Sequence, residues 1–187
     1  KRLSRCSGFD RSLLTAHCSL LTAAEFVDLL RVGGVQLLVD VRSIPRSRTN
    51  PQYNLDVLPN TLADWQIKHV IIPELGGRRN KQWEVDPVVN GYWTNQSFHN
   101  YADYALTSDF EKGLLQLCEL SGHATCAIMC SEAVWWRCHR RIIADYLMMH
   151  GMPVFHLLGL NRVEAAKLTP GAVPNSGTLT YPATGPS

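Results

Sequence analysis

TCAIMCSEAVWWRCHRR, residues 125–141, is the stretch that decides the fold. Its apolar first part, 125–130, predicts a buried strand, and residues 134–150 predict a helix that follows a short polar turn. A strand that leads through such a turn into a helix is typical of α/β proteins. In open sheets of this kind, ligands bind beyond the carboxyl ends of the strands. The stretch therefore predicts an α/β fold with a functional site near Cys130.

The same pattern of apolar runs and amphipathic segments extends through most of the chain. Further strands are predicted at 13–17, 35–41, 68–72 and 153–158, and further helices at 23–32, 55–66, 97–106 and 108–120. The run at 35–41 is almost continuously apolar, which suits a strand buried on both faces of a parallel sheet. We therefore expect an α/β fold, with a single domain built on a mostly parallel sheet that has helices on both faces.

The two ends of the chain differ in composition from its centre. Residues 1–12 are rich in basic residues, and no acidic residue follows Glu164. The segment 169–187 is rich in Pro, Gly, Ser and Thr, a composition typical of disordered or surface segments. We expect an N-terminal extension at 1–12, an α/β domain at 13–160 and a flexible C-terminal tail at 161–187.

The overall composition is that of a globular protein in a reducing compartment. The 187 residues are 45% hydrophobic and 18% charged. No apolar run approaches the roughly 18 residues that a membrane span requires. Six cysteines without a signal-peptide pattern favour free thiols over a disulfide framework. We therefore expect a cytoplasmic protein without a membrane partner.

Basic residues form three clusters, each just after a predicted strand. The clusters are Arg42, Arg46 and Arg48; Arg78, Arg79 and Lys81; and Arg137, Arg140 and Arg141. If the strands are parallel, the three clusters converge on one edge of the sheet. The net charge is only +2, so the distribution of the basic residues indicates more about possible ligands than the net charge does. It predicts a site for a small anionic or nucleotide-like ligand.

Several separated motifs resemble one known family. They are Asp40-Val41-Arg42 followed by Pro45 and Ser47, Leu75-Gly76-Gly77-Arg78, Tyr101-Ala102, Met129-Cys130-Ser131-Glu132 and Cys138-His139-Arg140. Together they are similar to the motifs of domain-of-unknown-function family 488, over about Leu13 to Leu158. The resemblance implies a cytoplasmic α/β domain, and it implies little about activity because the family is named for an unknown function.

An enzyme or small-ligand protein is the first functional interpretation. The candidate catalytic residues are Cys130, Glu132 and His139, because a thiol supplies a nucleophile while carboxylates and imidazoles transfer protons. The candidate ligand-binding residues are Asp40, Arg42, Arg78, Trp93, Trp135 and Arg140, where guanidiniums bind anions and aromatic rings stack on planar ligands. Asp40 also has a structural interpretation, an ion pair with Arg140 that ties two strand ends together.

Two other classes of function stay open. The basic edge and an exposed Trp135 or Trp136 would suit a module that binds the phosphates and unpaired bases of nucleic acid. Alternatively, Cys130, Cys138 and His139 are candidate ligands for zinc or iron in a metal- or haem-binding protein. A single metal site that uses both Cys138 and His139 is disfavoured, because the side chains of adjacent residues on the predicted helix would point about 100° apart. The sequence assigns no cofactor and no oligomeric state.

Overall fold

Six strands form the central sheet of the computed structural model, which describes residues 12–17, 21–132 and 134–183. They are β1 (Leu13–His17), β2 (Leu37–Asp40), β3 (Lys68–Ile71), β4 (Cys126–Cys130), β5 (Val154–Gly159) and β6 (Arg162–Ala165). The order across the sheet is β3-β2-β4-β1-β5-β6. The first five strands in this order are parallel, and β6 is antiparallel to β5. The predicted mostly parallel sheet is confirmed.

Helices cover both faces of the sheet, as predicted. They are α1 (Ala23–Val32), α2 (Leu58–Ala63), α3 (Gln96–Tyr104), α4 (Ser108–His123) and α5 (Arg140–Met149). Side chains alternate between the two faces along β2, as the pleat of a strand requires. Leu38 packs in the core under α1 and α2, whereas Val39 packs in the core under α3, α4 and α5. The sheet is therefore the middle layer between two hydrophobic cores.

The first helix begins where its capping residues predict. The backbone N–H of Glu25 donates to the Thr22 hydroxyl, and the Glu25 carboxylate accepts from the Thr22 backbone N–H at 2.8 Å. This reciprocal pair satisfies amides that the first turn leaves without helical partners, and such a cap stabilises a helix by about 1 kcal/mol. The Gly33 at the other end follows the last helical residue. The predicted helix 23–32 is confirmed at both ends.

The carboxyl ends of β2 and β4 lie side by side at one edge of the sheet. Asp40 of β2 is in register with Met129 of β4. Because both strands are parallel and buried, the chain that leaves each of them emerges at this same edge. The segments after β2 and β4 are therefore brought together, as the topology of open α/β sheets predicts.

The helix predicted over 134–150 begins only at Arg140. A short 3-10 helix covers Trp135–Arg137, and Cys138 follows with an extended backbone. The ring of Trp135 stacks on His156 of β5, with ring centroids 3.9 Å apart. This contact holds the chain against the sheet before α5 starts. The expected position of Cys138, inside the first helical turns, is wrong.

The flexible tail expected over 161–187 is also wrong for most of its length. After β6, the strands β7 (Val173–Asn175) and β8 (Thr178–Thr180) form a hairpin, and Leu179 and Tyr181 are fully buried. The Tyr181 hydroxyl donates to Asp145 of α5 at 3.0 Å. Two large side chains in an otherwise Pro- and Gly-rich segment thus anchor it to the core. Residues 1–11 and 184–187, which belong to the predicted extension and tail, lie outside the described residues.

Among the described residues, the expectation of thiols in place of disulfides is correct for three cysteines and wrong for one. Cys126, Cys130 and Cys138 carry thiols, whereas Cys118 is disulfide-bonded. Composition cannot identify which cysteine side chains approach each other in space, so it missed this bond. The remaining two, Cys6 and Cys18, lie outside the described residues. Within the described part of the chain, no helix has both the length and the apolar character that a membrane crossing needs.

Candidate functional site

A cavity of about 510 Å³ opens at the carboxyl edge of the sheet. Its walls come from the loop after β2, the Gly-rich segment after β3, the start of α3, and both ends of the connection between β4 and α5. The lining residues are Arg42, Ser43, Ile44, Gly77, Arg78, Arg79, Asn80, Ser97, Phe98, Cys130, Ser131, Glu132, Arg137, Cys138 and His139. This volume lies within the range of roughly 300 to 1,000 Å³ that is typical of small-molecule sites.

Two thiols and one imidazole form a tight cluster in the cavity wall. The Sγ atoms of Cys130 and Cys138 and the Nδ1 atom of His139 all lie within 4.8 Å of one another. Nδ1 is 3.5 Å from the Cys138 sulfur and 4.0 Å from the Cys130 sulfur. Both cysteines are buried, with exposures of 4% and 1%. We call these three residues the thiol–imidazole cluster.

The orientation of the His139 ring is fixed from the opposite side. Its Nε2 atom lies 3.1 Å from the carbonyl oxygen of Val41. A carbonyl can only accept a hydrogen bond, so Nε2 carries a proton, and in the neutral ring the Nδ1 lone pair faces the two sulfurs. The ring also packs against Tyr101, with centroids 4.9 Å apart. Sequence reasoning noted Gly77 but missed its role: a Cβ at that position would lie against this imidazole.

The structure removes the objection that Cys138 and His139 point in different directions. That objection assumed that both residues lie inside a helix. Cys138 instead has an extended backbone, and His139 is the N-cap residue that precedes α5. The two side chains therefore reach the same point, next to Cys130 at the end of β4.

The pKa values of the two thiols are shifted in opposite directions. The hydrogen bond with Cys138, together with burial, raises the pKa of the Cys130 thiol to about 12. Burial also acts to raise the pKa of Cys138, but the hydrogen bond from Cys130 and the charge and hydrogen bonds of Arg140 outweigh it. The resulting pKa of Cys138 is about 6, so Cys138 is the thiolate of the pair near neutral pH.

Arg140 lies behind the cavity wall and positions the cluster. Its Nε donates to the Cys138 sulfur at 3.2 Å, and its two terminal nitrogens donate to the backbone carbonyls of Ala16 and Glu132. The side chain is 1% exposed and does not line the cavity. Arg140 thus joins β1, the turn after β4 and the start of α5. It is a positioning residue for Cys138 rather than a direct contact for a ligand.

Asp40 forms its ion pair with Arg42 rather than with Arg140. The Arg42 guanidinium donates to both carboxylate oxygens, with its shortest contact at 2.6 Å, and it also donates to the carbonyl of Tyr53. His69 approaches the same carboxylate at 3.6 Å. Burial acts to raise the pKa of Asp40, but His69 and Arg42 outweigh it and lower this pKa. Asp40 and Arg42 hold the loop after β2 in place, although Arg42 also borders the cavity.

The two tryptophans expected to bind ligand lie outside the cavity wall. Trp93 is 7% exposed and stacks on Phe98 at 4.8 Å in the core under α3. Trp135 is occupied by its stacking on His156. The neighbouring Trp136 is 49% exposed, in agreement with the expectation that Trp135 or Trp136 is exposed.

Other predicted residues do face the cavity. Glu132 and Arg78 are exposed and line it, together with Arg137 from the third basic cluster. The guanidiniums of Arg78 and Arg137 have no side-chain partner among the described residues. By contrast, Arg79 donates to three backbone carbonyls and covers the ring of Tyr104 at 3.8 Å. The cavity therefore combines two available cations, one carboxylate and the thiol–imidazole cluster.

Comparison with known proteins identifies a family without an assigned activity. Residues 22–147 match the family described as domain of unknown function DUF488. The matched range includes β2, β4, every residue of the cavity wall and most of α5. Searches of curated proteins and of solved structures found no significant match. The chain belongs to the DUF488 family.

Proposed function

We propose that the cavity binds a small anionic ligand through Arg78 and Arg137. One observation carries this proposal: both guanidiniums line the cavity, and neither has a side-chain partner among the described residues. Arginine presents several N–H donors in a planar group that matches a carboxylate or phosphate. The other arginines near the site are occupied, since Arg42 pairs with Asp40 and Arg79 bonds to carbonyls.

The carboxylate of Glu132 restricts the ligand further. It is exposed and lines the same cavity, where it would repel a ligand that is anionic throughout. It would accept a hydrogen bond from a ligand that carries a hydroxyl or amino group beside its anionic group. A nucleotide-like molecule offers an anionic group to the two arginines and a hydroxyl or amino donor to Glu132. A bare inorganic anion offers only the anionic group. We therefore expect tighter binding of a nucleoside monophosphate than of inorganic phosphate.

The tryptophans expected at the site favour this proposal over binding of nucleic acid there, whereas the exposed Trp65 and Trp83, which lie beside basic side chains, are outside the cavity wall. Single-stranded nucleic acid binds to exposed aromatic rings that lie beside basic side chains. Trp93 is packed in the core and Trp135 is stacked on His156, which leaves Trp136 as the exposed ring of the three. The two available arginines lie in a concave wall rather than along an open surface. A compact ligand fits this arrangement better than an extended strand.

Calorimetric titration tests the proposal with inorganic phosphate, a nucleoside monophosphate and a short single-stranded oligonucleotide. The wild-type protein should bind the monophosphate, and the double variant Arg78→Gln/Arg137→Gln should bind it about 10- to 100-fold more weakly, because charge-assisted hydrogen bonds are lost. The control is Arg162→Gln, which removes an exposed arginine that pairs with Glu164 on β6.

Two results would contradict binding of a small anion. One is equal affinity in the double variant and the wild type. The other is that only the oligonucleotide binds, with an affinity that falls steeply as salt is raised, which is the signature of phosphate-backbone binding. The second result would favour the nucleic-acid alternative.

A further inference from the structure

We propose that Cys130, Cys138 and His139 bind a thiophilic divalent metal ion, for which zinc is the best fit. The proposal concerns the thiol–imidazole cluster, whereas the proposed anion binding depends on Arg78 and Arg137. The two proposals can therefore fail separately. Thiolate and imidazole ligands select zinc and similar ions over magnesium or calcium, which prefer oxygen.

The spacing of the three ligand atoms fits a tetrahedral ion. Zinc binds cysteine sulfur at about 2.3 Å and histidine nitrogen at about 2.0 to 2.1 Å. Tetrahedral angles then place sulfur and nitrogen about 3.5 to 3.6 Å apart. The Cys138 sulfur lies 3.5 Å from Nδ1 of His139, and the Cys130 sulfur lies 4.0 Å from it. The two sulfurs lie within 4.8 Å of each other, and tetrahedral angles would place them about 3.8 Å apart, so a shift of up to about 1 Å at Cys130 would close the site around the ion.

The imidazole is already arranged as a metal ligand. Histidines that bind metals commonly donate the other ring N–H to a carbonyl or carboxylate, which fixes the tautomer and aims the lone pair. His139 has this arrangement, with Nε2 donating to the Val41 carbonyl and Nδ1 facing both sulfurs. Arg140 adds an N–H donor to the Cys138 sulfur, a contact that a metal-bound thiolate can keep.

Charge balance favours a bound dication in this buried place. Two thiolates and one neutral imidazole carry a charge of −2, which a divalent ion cancels. Cys130 and Cys138 are almost completely buried, so both sulfurs can be ionised together at small cost only beside such an ion. All three ligands also line the cavity, so a fourth position on a tetrahedral ion would face the space available to a ligand. Three protein ligands with one open position are typical of catalytic zinc sites.

Titration of reduced, chelator-treated protein with Zn²⁺ and Co²⁺ tests the proposal. A chromophoric chelator that competes for Zn²⁺ reports affinity, and Co²⁺ reports ligand type through its sulfur-to-cobalt charge-transfer absorption. We expect one ion per chain and a tetrahedral cobalt spectrum with thiolate bands. Cys138→Ser and His139→Gln should each weaken Zn²⁺ binding at least about 100-fold, since even outer-shell changes weaken metal sites about 10- to 100-fold.

The matched control is Cys126→Ala, which removes another buried thiol from β4 outside the cavity wall. It should leave Zn²⁺ affinity and the cobalt spectrum unchanged. If Cys138→Ser proves unfolded by circular dichroism, His139→Gln decides, because that side chain is only partly buried. The proposal is overturned if reduced wild-type protein gives no thiolate-to-cobalt absorption, or if folded His139→Gln binds Zn²⁺ as tightly as wild type. Zinc binding that persists in Arg78→Gln/Arg137→Gln would show that the metal site does not depend on the anion site.

Discussion

The Nε2 atom of His139 lies 3.1 Å from the carbonyl oxygen of Val41, which ties the residue before α5 to the chain that leaves β2. This bond determines which ring nitrogen carries the proton. It also determines that the other nitrogen faces the thiols of Cys130 and Cys138. The chemistry of the cluster therefore depends on contacts that lie around the imidazole as well as on the three side chains themselves.

The first prediction concerns the backbone that packs against this imidazole. A Cβ added at Gly77 would lie against Nδ1 of His139 and 2.7 Å from its Cε1. Gly77→Ala should therefore push the ring away from the sulfurs without removing any ligand atom. We expect Zn²⁺ affinity to fall about 10- to 100-fold, as for other outer-shell changes, and the chelator competition titration measures it.

Gly159→Ala is the control for this experiment. A Cβ at Gly159 meets no atom within 4 Å, so the substitution should leave metal binding unchanged. Unchanged Zn²⁺ affinity in folded Gly77→Ala would mean that the position of the imidazole does not govern the site.

The second prediction concerns the buried ion pair at the end of β2. Asp40→Asn removes the charge that compensates the buried Arg42 guanidinium. Loss of one partner of a buried pair typically lowers the free energy of unfolding by about 3 to 5 kcal/mol. Urea denaturation of the variant measures this loss. Asp28→Asn breaks a solvent-exposed pair with Arg31 and should have a much smaller effect, so similar losses in the two variants would refute the structural role of Asp40.

The third prediction concerns stability in acid. Burial, together with the positive charge of Arg140, lowers the pKa of His156 to about 4, whereas the pKa of a histidine in the unfolded chain is about 6.5. The unfolded chain therefore binds more protons between these values, and stability should fall as pH decreases through this window. The loss attributable to His156 should reach about 3 kcal/mol at pH 4.

His156→Gln should reduce this dependence on pH, because it removes the titrating ring. In the wild type this ring is hydrogen-bonded to the Thr15 hydroxyl and stacked on Trp135. The measurement is the free energy of unfolding of both proteins from pH 7 to pH 4. Parallel curves for wild type and variant would show that His156 does not contribute to the acid sensitivity.

Sequence patterns predicted the elements whose signals are local. The Thr22 and Glu25 capping pair predicts the start of α1, and the continuous apolar runs predict β2 and β4. The convergence of segments at the carboxyl edge follows from parallel strands alone. In each case the deciding interaction lies within one element or follows from the general geometry of the sheet.

The wrong predictions depended on partners that are distant in sequence. The late start of α5 reflects the contact of Trp135 with His156, and the folded tail reflects burial of Tyr181 beside Asp145. The pairing of Asp40 differs from these two cases because its partner is local: side chains two residues apart in an extended chain lie on the same side. That spacing points to Arg42 rather than to Arg140.

X-ray absorption spectroscopy at the zinc edge of the zinc-loaded protein tests the metal centre most directly. The arrangement of Cys130, Cys138 and His139 predicts two sulfur neighbours at about 2.3 Å and an imidazole nitrogen at about 2.0 to 2.1 Å, with a light atom in the fourth position. A first shell that contains only nitrogen and oxygen, or one with four sulfurs, would contradict it.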